Sequence, residues 1–197
     1  MEESSDANVS RLLDAVQAGD RSALDELYSL VYGELRVLAH RQRRRWDTSG
    51  MLNTTALVHE AYLKLVKQRQ IHLETRAHFF ALAATAIRHI VSNYARDRQA
   101  RKRGRGVRTV SLTDLGTAPS GELRVSDDHT DLLVAIDEAL NRLERVSPRQ
   151  RGVVECRFFG GMSVEETAAA IGISPRTVKR DWMLAQAWLQ REMQHVG

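Results

Sequence analysis

Near its C-terminus this chain carries two closely spaced helix starts with a glycine between them. Ser163 is followed three residues on by Glu166, the spacing of a capping box in which each side chain meets the other's backbone N–H. Gly172 closes that helix. Ser174-Pro175 then caps another, with proline at the first helical position, where a missing N–H costs nothing. Helix, tight turn, helix is what such punctuation specifies. In the second helix Val178, Trp182, Ala185 and Leu189 recur at helical spacing and face inward. Arg176, Thr177, Lys179 and Arg180 crowd its first turns on the other side.

The rest of the chain is helical by the same criterion. Leu12, Leu13 and Val16 mark a short first helix ending near Gly19. Leu24, Leu27, Tyr28, Val31, Leu35 and Leu38 make a longer one that runs into the Arg41–Arg45 cluster. Leu57, Val58, Ala61 and Leu65 make a third, and Phe79 through Tyr94 a fourth, and these four can share one core. Residues 104–128 lack helical period and are rich in Gly, Ser, Thr, Asp and Pro, which reads as a flexible linker with at most a brief extended piece at Val107–Leu112. Leu132, Leu133, Ile136, Leu140 and Leu143 then line a further helix. Ser147-Pro148 caps the next, which continues through Val153, Val154, Arg157 and Phe158 to Gly160-Gly161. The expected fold is all-α: two small helical domains, over 8–103 and 129–193, joined by the 104–128 linker.

Composition narrows the functional classes. A 197-residue chain that is 43% hydrophobic can bury real cores. Its 29 Lys and Arg exceed its 25 Asp and Glu only slightly, so the placement of charge matters more than its sum. The single cysteine, Cys156, excludes an internal disulfide and reads as buried filler. The start Met1-Glu2-Glu3-Ser4-Ser5-Asp6 is acidic, unlike a signal peptide, and no apolar run nears the roughly 18 residues of a membrane span, so a cytoplasmic protein is expected. The seven histidines show no ligand spacing with carboxylates or Cys156, and His59-Glu60 lacks the second histidine of a zinc protease motif. No catalytic residue, metal site or cofactor is expected.

Two basic elements remain. In a helix-turn-helix the first residues of the second helix enter the major groove, where Arg grips guanine and Lys and Thr take phosphates or base edges. Arg176, Thr177, Lys179 and Arg180 suit that task. The plainer alternative is a solvated helix start. The other element, Arg88, His89, Asn93, Tyr94, Arg96, Arg98 and Arg101 with Lys102, Arg103, Arg105 and Arg108 beyond, mixes cations with flat and amide groups. That mixture suits single-stranded or melting DNA. A solvated basic helix end is its alternative. Arg41, Arg43, Arg44 and Arg45 fit DNA backbone or solvent equally well.

Several stretches together resemble the extracytoplasmic-function (ECF) group of bacterial RNA polymerase sigma factors. Leu57-Val58-His59-Glu60-Ala61-Tyr62-Leu63-Lys64-Leu65 is similar to the region 2.2 pattern that grips the polymerase β′ coiled coil. Ile87 through Arg96 resembles the helix that melts and reads the −10 element, and Pro148 through Val154 the start of region 4. Thr177 through Trp182 with Ala187-Trp188-Leu189 resembles one ECF subgroup. The resemblance implies region 2 over 8–103 and region 4 over 129–193. It implies core polymerase as partner, through the β′ coiled coil at Leu57, Glu60, Leu63 and Lys64 and through the β flap. It also implies promoter DNA, with −10 contacts on the Arg88–Arg101 face and −35 contacts from Arg176, Thr177, Lys179 and Arg180.

Two departures stand out. His89 and Asn93 occupy positions where the family usually has Asn and often has Asp. Before Leu57, where the family commonly carries acids, this chain has Asn53, Thr54, Thr55 and Ala56. A phosphate on Thr55, or on Thr54, would restore about two negative charges at a helix start that favours anions. Some subgroups of this appearance are switched by Ser/Thr kinases. The alternative is that Asn and Thr simply cap the helix. A conventional helix-turn-helix regulator of duplex DNA remains the rival reading; it accounts for 129–193 but not for the Arg88–Arg108 strip or the Leu57–Leu65 stretch.

Overall fold

The computed structural model describes residues 2–46, 53–67, 75–103 and 129–194. Among these there is no strand. The helices are α1 (Glu2–Gln17), α2 (Arg21–Trp46), α3 (Thr54–Lys67), α4 (Arg76–Arg103), α5 (His129–Val146), α6 (Pro148–Val154), α7 (Val164–Ile171) and α8 (Pro175–Gln194). The linker expected at 104–128, with its extended piece, lies outside the described residues. The all-α expectation holds. α1 begins well before Leu12, with Ala7 and the buried Val9 the apolar residues of its first two turns.

Side chains cap most of these helices. Asp20 Oδ1 accepts the Ser22 N–H at 2.8 Å at the head of α2, and Thr75 Oγ1 accepts the His78 N–H at 3.1 Å at the head of α4. Both serine caps expected before α7 and α8 form. In the capping box the Glu166 N–H donates to Ser163 Oγ at 3.0 Å and the Ser163 N–H to Glu166 Oε2 at 2.6 Å. The Thr177 N–H donates to Ser174 Oγ at 3.2 Å. Gly172 ends α7 at φ +73°, a left-handed conformation that glycine adopts without penalty.

An apolar cluster runs through both sets of helices. It joins Leu12, Leu35, Val58, Phe79 and Ile87 from α1–α4 to Leu133, Leu140, Leu143, Phe159 and Ala185 from the later ones. A smaller cluster of Val153, Ala168 and Val178, with Ile171, Ile173 and Trp182 against it, is the inside of the helix-turn-helix. Each such aliphatic or aromatic side chain contributes about 1.5–3 kcal/mol when fully buried, so both clusters are substantial.

The helix through Val153 and Phe158 departs from its expected straight course. It widens at Glu155–Phe159 into a π-helical turn, in which the Gly160 N–H donates to the Glu155 carbonyl, five residues back, at 2.8 Å. Glu155, Cys156 and Phe159 are buried by this turn. A Cβ on Gly160 would sit 2.5 Å from the Cys156 carbonyl oxygen and 3.0 Å from the Ala84 Cβ of α4. Only glycine fits where the turn meets α4. Burial pushes the Cys156 thiol up to about 12, as befits packing rather than reactivity.

Candidate nucleic-acid interface

The head of α8 separates its two faces cleanly. Val178 is fully buried, while Arg176, Lys179 and Arg180 are exposed; Thr177 is half-buried with its hydroxyl 2.9 Å from Ser174 Oγ. Asp181 is buried between them. Burial alone would raise its pKa, but hydrogen bonds from Arg149 and Arg180, with their charges, outweigh that and hold it below the usual carboxylate range. Arg149 Nε donates to Asp181 Oδ2 at 2.5 Å and Arg180 Nε to Oδ1 at 3.2 Å. That clamp fixes α8 against α6, and Arg157 stacks over Trp182 at 5.7 Å. The basic cluster therefore stands on a rigid platform.

The α4 face is arranged differently. Arg88 is only 1% exposed. Its Nη1 donates to Asp137 Oδ1 of α5 at 2.7 Å, and its Nε lies 2.9 Å from Glu155 Oε1 in the π-helical turn. Burial lowers the Arg88 pKa despite these two carboxylates. His89 is half-buried, its Nε2 accepting from Arg88 Nη2 at 2.6 Å. Burial first, and the Arg88 charge second, bring its pKa down to about 4, so the ring is neutral. Arg96 pairs with Asp137 and donates to Asn93 Oδ1 at 3.2 Å; Asn93 is exposed. Tyr94 and Arg98 are half-buried along the same helix. Arg101 lies in the last turns of α4 with its side chain outside the described residues, as are Arg105 and Arg108.

On α3, Glu60 and Leu63 are exposed and Lys64 is half-buried. Leu57 does not join them. At 2% exposure it falls on the inward stripe with Val58, Ala61 and Leu65. Asn53 caps α3, accepting the Thr55 N–H at 2.8 Å, and Thr55 is exposed beside it while Thr54 is half-buried.

The sequence matches the ECF sigma factor family over residues 6–195. The chain belongs to the ECF sigma factor family. It is 36% identical over 90 residues to an RNA polymerase sigma-E factor of Streptomyces antibioticus, a match covering 44% of this chain and 48% of that one. A sigma-E factor of Streptomyces coelicolor is 35% identical over 91 residues, covering 46% and 48%. The chain thus spans about half the length of the curated relatives it matches.

Buried polar residues of this ECF sigma factor escaped the sequence reading, among them three acids and an amide. Asp137 sits on the apolar stripe of α5 among Leu133, Ile136 and Leu140, and Glu155 sits between Val154 and Cys156. A lone acid on an apolar stripe was the available signal for both. Asp181 likewise lies between Val178 and Ala185. Gln42, fully buried, hid within the arginine run. Its Nε2 donates to the Phe159 carbonyl at 2.7 Å and its Oε1 accepts from Trp46 Nε1 at 2.9 Å. Among the described residues no helix is long and apolar enough to cross a membrane.

Proposed function

We propose that this protein is a removable specificity subunit of RNA polymerase, which binds the core enzyme and directs promoter-specific initiation in the cytoplasm. Residues 129–193 read the −35 element through Arg176, Thr177, Lys179 and Arg180 and meet the β flap. Residues 8–103 grip the β′ coiled coil through Leu57, Glu60, Leu63 and Lys64. The same unit opens the −10 element with Arg88, His89, Asn93, Tyr94, Arg96, Arg98 and Arg101, and 104–128 links the two. The observation that carries this reading is the presented basic head of α8 within a sequence that matches the ECF sigma factor family along nearly its whole length. Arg176 is exposed to guanine or phosphate, and the α8 N-terminus adds backbone donors for a phosphate.

Run-off transcription with core polymerase and a promoter library tests it. Discrete transcripts should appear only when the protein is added. A protein that never joins polymerase yet occupies duplex DNA alone is instead a conventional helix-turn-helix regulator.

The finer reading is control by phosphorylation of Thr55. Its support is the run Asn53-Thr54-Thr55-Ala56 in place of family acids, together with the exposure of Thr55 at a helix start. Core-polymerase affinity of Thr55→Glu, Thr55→Ala and kinase-treated protein tests it. Treated protein that binds no better than untreated removes the switch.

A further inference from the structure

Three cations stand at the head of α8, and they are not equivalent. Arg176 and Lys179 make no hydrogen bond or ion pair among the described residues. Arg180 is held in place: its Nε and its Nη2 both donate to Asp181 Oδ1 at 3.2 Å. Asp181 is fully buried, and its other oxygen, Oδ2, accepts from Arg149 Nε of α6 at 2.5 Å. The carboxylate cannot turn without breaking one of these contacts. The Arg180 side chain is nevertheless 61% exposed. A guanidinium carries five N–H groups in one plane. Asp181 takes the Nε–H and one Nη2–H, which leaves both on Nη1 and the second on Nη2. Those form the outer end of the fork, on the side away from the buried acid.

We infer that Asp181, anchored by Arg149, is a positioning residue for guanine readout by Arg180: it holds the guanidinium by its inner edge so that the outer edge meets N7 and O6 of one guanine. This rests on reading α8 as the −35 helix. Guanine presents two acceptors side by side in the major groove, and two adjacent N–H groups of a fork match them. Arginine has much rotamer freedom to lose on binding, and a side chain held beforehand loses less of it. An unheld arginine at this place would settle on a phosphate as readily as on a base. The charge of Asp181 also offsets the pull of phosphates on Arg180, so direction rather than charge decides the contact. Arg149 brings α6 into base selection without touching DNA bases itself.

Run-off transcription with core polymerase tests this, on a promoter recovered from the library and on its single-base −35 variants. Arg180→Ala should reduce discrimination at one G·C pair by about tenfold. Asp181→Asn should reduce it at the same pair by about fivefold, because an amide has a single acceptor oxygen and turns a donor toward one of the two arginines. Arg149→Ala leaves the sequence of α8 intact and should act at that pair in the same direction. Adding Asp181→Asn to Arg180→Ala should cost no further discrimination there. Helical circular dichroism should stay that of wild type in each; should Asp181→Asn fail to fold, Arg149→Ala decides the question alone. Transcription lowered evenly across all the −35 variants would make Asp181 and Arg149 structural only and overturn the inference. An Arg180→Ala protein with every base preference intact overturns it too, and leaves the −35 reading standing on Arg176. A wild type that yields no transcript from any promoter overturns the polymerase reading, and the inference with it.

Discussion

The heads of α8 and the middle of α4 carry the same chemistry in opposite settings. On α8 the acid in the cluster, Asp181, is clamped by Arg149 from beneath and leaves Arg176 and Lys179 exposed. On α4 the acids come from across the molecule and cover Arg88 almost completely. An intra-half carboxylate makes a platform; an inter-half carboxylate makes a cover.

The strongest way to break this contrast is Asp137→Ala combined with Glu155→Ala, which removes both carboxylates that meet Arg88. If Arg88 were locked in a permanent interior, stranding its charge would cost about 3–5 kcal/mol of folding stability. If the halves part, Arg88 escapes to water and the loss is limited to the closure itself. The expected outcome is expansion in solution with a helical melt lowered by much less than that range, read by scattering and thermal circular dichroism. A drop in stability of the full size with unchanged shape would make the two clusters alike, both merely structural.

The α8 side of the comparison is sharpened by Arg176→Ala and Lys179→Ala. An arginine that holds a guanine contributes about 1–3 kcal/mol of discrimination, whereas a phosphate contact lowers affinity uniformly and reduces the salt slope by about 1. Run-off transcription on single-base promoter variants, with binding measured across a salt series, separates the two. Arg176→Ala is expected to relax preference at one base pair, and Lys179→Ala to flatten the salt dependence. Neither should change the radius of gyration.

What was legible in the sequence divides along the same line. Ser163 with Glu166, Gly172, and Ser174 with Pro175 are local signals, each fixed by residues within one turn, and all three formed as read. The stripes of α2, α3, α4 and α5 were legible for the same reason, since a helix's period lies in its own sequence. The partners of Arg88, Arg96 and Gln42 lie far along the chain, and no local pattern ties Arg88 to Asp137 or Glu155. The π-helical turn was invisible too. It is set by Glu155 finding Arg88 and Thr85 and by Gly160 fitting against Ala84, which are tertiary conditions.

Proton concentration should act on one side of the comparison only. His89 faces Arg88 on its own helix, Asp137 of α5, Arg151 of α6 and Lys64 of α3; Asp137 raises its pKa, while burial and the three cations lower it to about 4. The closed state therefore disfavours the protonated ring. Its contribution to closure is fully present above the ordinary value of 6.5 and is lost progressively as pH falls from there toward 4. At pH near 5.5 the open fraction should rise by at most about tenfold for a ring fully solvated on opening. Scattering across this window is expected to show expansion in wild type and a weaker response in His89→Gln. The duplex affinity of α8, which has no histidine in its basic head, should not follow the same curve.

Gly172→Ala gives the smallest effect and the cleanest control. Its φ of +73° is unfavourable for any residue with a Cβ, yet an added Cβ there would meet nothing within 4 Å. The cost is thus conformational alone, about 1 kcal/mol, and Gly172→Asn should cost less because asparagine tolerates the left-handed region. Thermal melts should register that small loss, while the radius of gyration and single-strand affinity remain those of wild type. The turn lies wholly within the C-terminal half, so straining it leaves the cover over α4 untouched. If Gly172→Ala instead exposed the α4 face, the geometry of the helix-turn-helix and the closure would be coupled, and the two basic clusters could no longer be treated as independently set.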